Sequence, residues 1–273
     1  VDKNGAVDWE KFSSSFPRKR ESTSPAEAKL DSRFRGNDEV KLVSLMRANN
    51  ETGVIQDVAR AAQIAHEHGA LLHVDAVQAA GKIPLDFTAL GCDLMSLSSH
   101  KLYGPKGIGA LVVKSGTELH PLHHGGPQER GLRGGTENVA AIAGFGLAAE
   151  LAVKELDTRS AHCRSLRDAL EAGLRDIRGI TIFGMDAERL PNTVQFSLAG
   201  YDGEALLMQL DRKGFGVSSG SACASGSHEP SHVLLAMGYS REVALGAIRV
   251  SFGKDNTLAE AAGFLSALKE LAR

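Results

Sequence analysis

The sequence has few cysteines and no long apolar run, and these absences exclude several classes of protein. Its 273 residues include only three cysteines, Cys92, Cys163 and Cys223, and they are widely spaced. A disulfide framework uses an even set of cysteines and a zinc ribbon uses CxxC pairs, and the sequence has neither, so we expect a reducing compartment, the cytoplasm. No apolar run approaches the ~20 residues that span a bilayer. The first residues resemble neither a signal peptide nor a transit sequence.

An excess of charge of one sign is also missing. The chain has 31 Lys and Arg against 33 Asp and Glu, a formal net charge of −2, which argues against a nucleic-acid binder. With 42% hydrophobic residues and 30 glycines, the composition is typical of an α/β enzyme. His120, His123 and His124 lack a carboxylate or thiol at a familiar ligand spacing, so we predict loop histidines and no metal.

The chain divides into four stretches of different character. Residues 13–39 mix Ser, Pro and charged residues without an apolar period, which predicts an irregular loop or insert. We predict a short N-terminal remnant over 1–12, this insert, a larger α/β portion over 40–150 and a smaller α+β domain over 151–273.

Alternating strand and helix patterns predict a mostly parallel sheet flanked by helices in the larger portion. Apolar residues at helical spacing begin at Val58, and Gly69 ends that helix. Short apolar runs predict strands at 43–46, 70–74, 93–97 and 109–113. After residue 137 the pattern predicts helices over 137–156 and 160–175, strands over 194–197 and 248–252, and a last helix opened by a Thr257–Glu260 capping box.

Reactive side chains follow two of the predicted strands. Asp75 follows one strand directly, and Ser98, His100 and Lys101 follow the next. The carboxyl ends of parallel strands share one edge of a sheet, where ligands bind. An acid and a lysine there suit pyridoxal phosphate, because the lysine forms a Schiff base and the acid pairs with the pyridine nitrogen. Taken singly, an Asp after a strand is more often a turn or helix N-cap, and an Asp–Lys pair is more often a surface charge pair.

The assembled motifs resemble those of the cysteine desulfurases, which belong to the class-V aminotransferase group of fold-type-I pyridoxal-phosphate enzymes. The resemblance runs from Val40 to about Arg273. It rests on His73-Val74-Asp75-Ala76-x-Gln78, Ser98-x-His100-Lys101, Gly104-Pro105-Lys106-Gly107, Asn49-Asn50-Glu51-Thr52-Gly53, Gly125-Gly126-x-x-Glu129-Arg130-Gly131-x-Arg133-x-Gly135-Thr136, Pro191-Asn192-Thr193, Ser218-Ser219-Gly220-Ser221-Ala222-Cys223 and Ile248-Arg249.

The resemblance implies a set of cofactor-binding residues. Lys101 would hold pyridoxal 5'-phosphate and move the Cα proton of the substrate. Asp75 would pair with the ring nitrogen, and Gln78 would hydrogen-bond the phenolic oxygen. Ser98 and His100 would bind the phosphate.

It further implies a homodimer in which Thr136 of one subunit reaches the phosphate of the other. Asn50 would contact the cofactor and the substrate, and Asn50 and Arg249 would hold the carboxylate of L-cysteine, since a guanidinium binds carboxylates bidentately. Taken alone, Arg249 is more often part of a structural ion pair.

Cys223 lies in a Ser-, Gly- and Ala-rich stretch from Val217 to His228. This composition favours a mobile loop, and it suits a thiolate that takes up sulfur and carries it outward as a persulfide. Cys92 and Cys163 fit small buried residues instead. The resemblance implies release of L-alanine and sulfur transfer to acceptors such as iron–sulfur scaffolds or sulfur carriers in cluster assembly and tRNA thiolation.

The sequence departs from the family before Val43. The family has a longer segment there, with a Gly–Thr phosphate turn and a His that stacks on the cofactor. Here only residues 1–8 resemble the stretch just before Val43, so the resemblance implies an N-terminally shortened member with an insert. The alternatives are a selenocysteine lyase, another class-V aminotransferase, or an inactive remnant that only dimerises or binds partners.

Overall fold

The order of elements along the chain separates two sheets. A computed structural model describes residues 1–16, 40–219 and 229–272. The first sheet lies in residues 40–113, called here the first-sheet half, and the second lies in the described part of residues 156–272, called the second-sheet half. In the described ranges, no helix combines the length and hydropathy that a bilayer crossing requires.

The first sheet confirms the predicted mostly parallel arrangement. Its strands are β1 (Leu42–Met46), β2 (Leu71–Asp75), β3 (Leu94–Ser98) and β4 (Gly109–Val113), in the order β1-β2-β3-β4. The first three are parallel and β4 is antiparallel to β3. The carboxyl ends of β1, β2 and β3 therefore lie at one edge.

The helix α2 (Val58–Glu67) covers one face of this sheet, and the side chain of Asp57 caps its N-terminus. Its buried residues are those that the helical spacing predicts: Val58, Ala61, Ala62 and Ala65. Because three of them are alanines, the helix packs closely on β1 and β2. The opposite face exposes large apolar side chains: Leu42, Met46, Leu71 and Leu111.

The N-terminal segment packs on the first-sheet half. The helix α1 (Trp9–Ser14) precedes Phe16, which is buried and stacks on His68 with ring centroids 4.5 Å apart. Gln56 donates to the carbonyl of Gly5 at 2.7 Å and accepts from the amide of Val7 at 2.9 Å. The predicted boundary at residue 13 thus falls inside a packed helix, and 17–39 lie outside the described residues.

Two long helices lead into the second sheet. α3 (Val139–Lys154) and α4 (Leu156–Arg175) occupy most of the predicted 137–156 and 160–175 helices, with α4 starting earlier than predicted. The predicted domain boundary at 150 falls within α3. The antiparallel second sheet follows in the order β5-β6-β8-β7, with β5 (Ile180–Ile182), β6 (Thr193–Leu198), β7 (Ser218–Ser219) and β8 (Ala247–Ser251).

Helices pack against the second sheet and close its core. They include α5 (Gly203–Arg212), α6 (His232–Ala236), α7 (Arg241–Leu245) and α8 (Leu258–Leu271). The predicted capping box opens α8, because Thr257 and Glu260 each cap the backbone of the other. Every residue of β6 is buried, and the core contains large side chains such as Leu170, Phe196 and Phe264.

A seam of backbone hydrogen bonds joins the two halves. The amide of Leu190 donates to Gly53 and that of Ile55 donates to Glu188, both at 2.8 Å. Arg189, in this seam, pairs with Glu171 of α4 at 2.7 Å, and both side chains are about 95% buried. The seam fixes the first sheet's carboxyl edge relative to β8.

Candidate active site

The carboxyl edge of the first sheet carries Asp75 at the end of β2. Asp75 pairs in register with Ser96 of β3, one hydrogen-bonded strand spacing away. Its Oδ1 accepts the amide of Val77 at 2.9 Å, which orients the carboxylate at the start of the following turn. Two residues before Asp75, His73 links β2 to both neighbouring strands. Its Nδ1 lies 2.8 Å from Ser44 Oγ of β1, and its Nε2 lies 2.7 Å from Ser96 Oγ of β3.

The end of β3 turns into a short 3-10 helix, Ser99–Leu102, that presents Lys101. Ser98 Oγ and His100 Nδ1 lie 2.8 Å apart, so the predicted phosphate-binding pair is brought together. Tyr103 ends the turn at φ 66°, and Gly104 fits beneath α3 because a Cβ there would lie 2.3 Å from Ser99 Oγ. Lys101 itself is exposed.

Gln78 lies in the turn after β2, within reach of Lys82. Lys82 Nζ donates to the backbone carbonyl of Gln78 at 2.7 Å and to its side-chain Oε1 at 3.3 Å. Burial, with the positive charges of Lys101 and Arg249 nearby, lowers the pKa of Lys82 to about 8. This turn therefore lies close to both Lys101 of the first-sheet half and Arg249 of the second-sheet half.

Arg249 on β8 faces the predicted substrate-binding motif. Its Nη1 donates to the backbone carbonyl of Asn50 at 2.8 Å, and its Nη2 donates to Ser218 Oγ at 3.2 Å. Ser218 is also its register partner on β7. The structure thus brings Asn50 and Arg249 together as predicted, next to the strand that precedes the stretch containing Cys223.

An open cleft lies between the two halves, and both of them line it. The first-sheet half lines it with Lys82, Lys101 and Tyr103, and α4 and the second sheet line it with Arg159, Asn192 and Lys254. Arg159 and Lys254 lie over the Tyr103 ring at 5.4 and 5.7 Å. Four cationic side chains around one cleft favour an anionic ligand.

Two predicted residues are not joined to this group. Thr136 is exposed on the irregular segment after β4, and no hydrogen bond or ion pair among the described residues connects it to the edge. Cys223 lies outside the described residues. Cys92 and Cys163 are buried, as their sequence contexts predict, and burial raises the pKa of both thiols.

Two polar residues at the site were not predicted from the sequence. Lys82 is one of them, and its signal was the four-residue spacing from Gln78, which brings side chains together on a helical turn. Glu51 is the other. It is buried, and its Oε2 accepts from Gln195 Nε2 at 3.2 Å and from Ser231 Oγ at 2.5 Å. These contacts connect the Asn50 motif to β6 and to the N-cap of α6. A local sequence pattern cannot predict such pairs, because the partners are far apart along the chain.

The donors and acceptors at this edge fit pyridoxal phosphate. Asp75 supplies a carboxylate for a protonated ring nitrogen, and Ser98 and His100 supply a paired hydroxyl and imidazole for the phosphate. Because the ammonium of Lys82 occupies Gln78 Oε1, Gln78 Nε2 is left as a donor for a phenolic oxygen. Lys101 is an exposed amine at the same edge. In the described part of the chain, no group of three His, Cys, Asp or Glu side chains could hold a metal.

Comparisons with known proteins agree with this geometry. A family model described as aminotransferase class-V matches residues 18–264. A cysteine desulfurase of Gluconacetobacter diazotrophicus is 52% identical over 220 residues, which are 80% of this chain and 55% of that protein. The chain spans about half the length of the curated relatives it matches.

Solved structures show the same fold. A NifS-like protein from Rickettsia africae superposes with a TM-score of 0.87 at 35% identity, covering 99% of this chain and 68% of that one. A structure of SspA in complex with cysteine gives a TM-score of 0.70 at 28% identity, covering 94% and 65%. These matches confirm the predicted fold-type-I architecture. The chain belongs to the class-V aminotransferase family.

Proposed function

We propose that this chain carries the active-site residues of a pyridoxal-phosphate-dependent cysteine desulfurase. The observation that carries the proposal is that Asp75, the Ser98–His100 pair and Lys101 lie at or just after the ends of neighbouring parallel strands at one edge of the first sheet, where Lys101 lines a cleft. The 52% identity to a cysteine desulfurase supports this reaction within the family. When bound, pyridoxal phosphate supplies an electron sink for bonds at the substrate Cα.

The first-sheet half holds the cofactor in this proposal. Lys101 bonds to it covalently and then moves the Cα proton of the substrate. Asp75 keeps the ring nitrogen protonated, and Gln78 donates to the phenolic oxygen. Ser98 and His100 bind the phosphate, and Thr136 of a second copy completes that site.

Arg249 of the second-sheet half, Asn50 and Cys223 hold and attack the substrate in this proposal. Arg249 binds the carboxylate of L-cysteine, and Asn50, whose carbonyl Arg249 already contacts, lies beside the cofactor and the substrate. The thiolate of Cys223 attacks the substrate sulfur, so a sulfur–sulfur bond forms and the carbon–sulfur bond breaks. L-alanine leaves after protonation, and Cys223 retains the sulfur as a persulfide.

The persulfide then passes to sulfur-acceptor proteins, namely iron–sulfur scaffolds or sulfur carriers, in the cytoplasm. A homodimer is part of this proposal. The helix α3 and the segment before it expose apolar side chains that a second copy would cover: Leu122, Val139, Leu147 and Val153. Sedimentation should give twice the chain mass, and a monomer would leave the phosphate site without Thr136.

The direct test adds pyridoxal phosphate and L-cysteine to the purified chain. We expect a visible absorbance band from the lysine-bound cofactor and release of alanine. Lys101→Ala should abolish the band, whereas Lys106→Ala, an exposed lysine five residues further on, should keep it. A wild-type chain without a band would be a non-catalytic remnant and would contradict the proposal.

A second pair of variants tests the reaction type. Cys223→Ala should abolish alanine release and keep the absorbance band, because the thiol acts only on the substrate sulfur. The matched control is Cys92→Ala, at a buried cysteine of the first-sheet half. Full cysteine-to-alanine activity in Cys223→Ala would instead indicate a selenocysteine lyase or an aminotransferase.

A further inference from the structure

Lys82 is a half-buried cation to which the proposed chemistry gives no role. It lies four residues after Gln78 in the turn that follows β2, and its Nζ makes two hydrogen bonds, both to Gln78. Within the described ranges no carboxylate pairs with it. Withdrawing an ammonium group even partly from water without a carboxylate partner costs free energy, so its position calls for a specific cause.

The hydrogen bond to Oε1 determines the orientation of the Gln78 side-chain amide. An ammonium group has three donors and no acceptor, so only the amide oxygen can face it. The amide nitrogen must then point the other way. In the described parts of the chain, no protein acceptor bonds to Gln78 Nε2, so both of its protons are available to a ligand at this edge.

The ammonium also changes the strength of that donor. A positive charge on the amide oxygen draws electron density from the nitrogen, and linked hydrogen bonds of this kind strengthen one another at low dielectric. The nitrogen is thereby a stronger donor to an anionic oxygen than a free glutamine would be. Losing the charge would remove both the orientation and the polarisation.

We infer that Lys82 is a positioning residue, which fixes the Gln78 amide with its nitrogen toward the phenolic oxygen of the cofactor. The inference rests on the proposed function for the identity of the ligand, and the orientation of the amide itself does not depend on it. Lys82 acts through Gln78 and does not touch the reacting atoms.

The surroundings of Lys82 make this device sensitive to pH. Burial and the nearby positive charges lower its pKa to about 8, and Cys163 of α4 is the group that opposes this shift. Below that pH the ammonium holds the amide oxygen. Above it the neutral amine can also accept a hydrogen bond, so the amide is no longer held in one orientation. The charged groups that face Lys82 or line the same cleft are Lys101, Arg249, Arg159 and Lys254.

The test follows the Gln78 amide directly by NMR in the chain without cofactor. With glutamine labelled at 13Cδ and the signal assigned through Gln78→Met, the Gln78 resonance should titrate with a midpoint near 8 in the wild type. In Lys82→Met it should not move between about pH 6 and about pH 10. Lys82→Arg should hold it at the low-pH position, because guanidinium stays charged, and Lys106→Met should titrate like the wild type.

A wild-type resonance that does not move, or the same titration in Lys82→Met, would overturn the inference. Melting temperatures of the variants show which of them fold, and Lys82→Arg decides the question if Lys82→Met does not. In a separate arm, Lys82→Met should weaken binding of pyridoxal phosphate roughly 2- to 10-fold, the effect of one hydrogen bond. A wild-type chain that binds no cofactor would contradict the proposed function, and the NMR titration would still decide the role of Lys82.

Discussion

The two sheets of this chain are built for different purposes. In the first-sheet half the core under α2 consists mostly of small side chains, and the other sheet face exposes Leu42, Leu71 and Leu111. In the second-sheet half all six residues of β6 are buried among leucines and phenylalanines. Burying a large apolar side chain contributes about 1.5–3 kcal/mol, so the second-sheet half contains most of the strongly stabilising contacts.

The difference separates stability from chemistry. The polar groups of the candidate site cluster at the carboxyl edge of the thinly covered first sheet, at Asp75, Gln78 and Lys101. The second-sheet half contributes Arg249 from a well-packed strand. The site is complete only while the seam around Arg189 holds the two together. Three comparisons of variants test this division, from the largest expected effect to the smallest.

The seam gives the largest effect. Arg189→Met should lower the free energy of unfolding by about 3–5 kcal/mol, because it leaves the buried Glu171 without its close partner. Denaturant unfolding measures the loss. The double variant Arg189→Met with Glu171→Leu should recover most of it, since no buried charge remains. A loss below about 1 kcal/mol in the single variant would show that this ion pair, which lies within the second-sheet half, does little to hold the 188–190 segment that forms the seam.

A matched pair of leucines compares the two sheets. Leu170→Ala removes a fully buried side chain from the core of the second-sheet half and should cost about 2–5 kcal/mol. Leu111→Ala removes a side chain that is 50% exposed on β4, and it should change stability by about 0.5 kcal/mol or less. Equal losses would mean that the bare face of the first sheet is covered in the purified protein.

The smallest effect concerns the buried polar cluster at the start of β3. Burial alone would raise the pKa of Asp93. Hydrogen bonds from His66, the Leu72 amide and Lys114 nevertheless hold this pKa below its ordinary value. The resulting stabilisation is present above the unfolded pKa, near 3.9, and is lost as the pH falls through the folded pKa.

When the pH is lowered from neutral to acidic, the free energy of unfolding of Asp93→Asn should therefore fall by about 1 kcal/mol less than that of the wild type. Chemical unfolding at a series of pH values gives this difference, with the exposed Asp211→Asn as control. Identical pH profiles for wild type and Asp93→Asn would show that the cluster adds nothing to the first-sheet half.

Periodicity and turn residues predicted most of the fold. Three features were predicted because each depends on residues close in sequence: the buried face of α2, the strands of the first sheet and the α8 capping box. The helices α5 to α7 were not predicted, since short helices between loops carry little periodicity. The antiparallel direction of β4 was also missed, because strand direction depends on pairing with β3 and not on the composition of the strand.

The candidate site was predictable where a motif names its residues. The pairs Ser98–His100 and Asn50–Arg249 come together as predicted, although Arg249 bonds to the backbone of Asn50 and not to its side chain. Glu51 was missed because its partners Gln195 and Ser231 lie more than 140 residues away along the chain. The roles of all the predicted site residues, Thr136 and Cys223 among them, stay predictions.

Covalent mapping of the cofactor tests the central claim, that the edge beside Asp75 uses Lys101 to bind pyridoxal phosphate. The chain is incubated with the cofactor, reduced with borohydride, digested and analysed by mass spectrometry. We predict one stoichiometric phosphopyridoxyl group, on Lys101. Labelling of Lys82 in its place, or equal labelling of exposed lysines such as Lys106 and Lys114, would contradict the account.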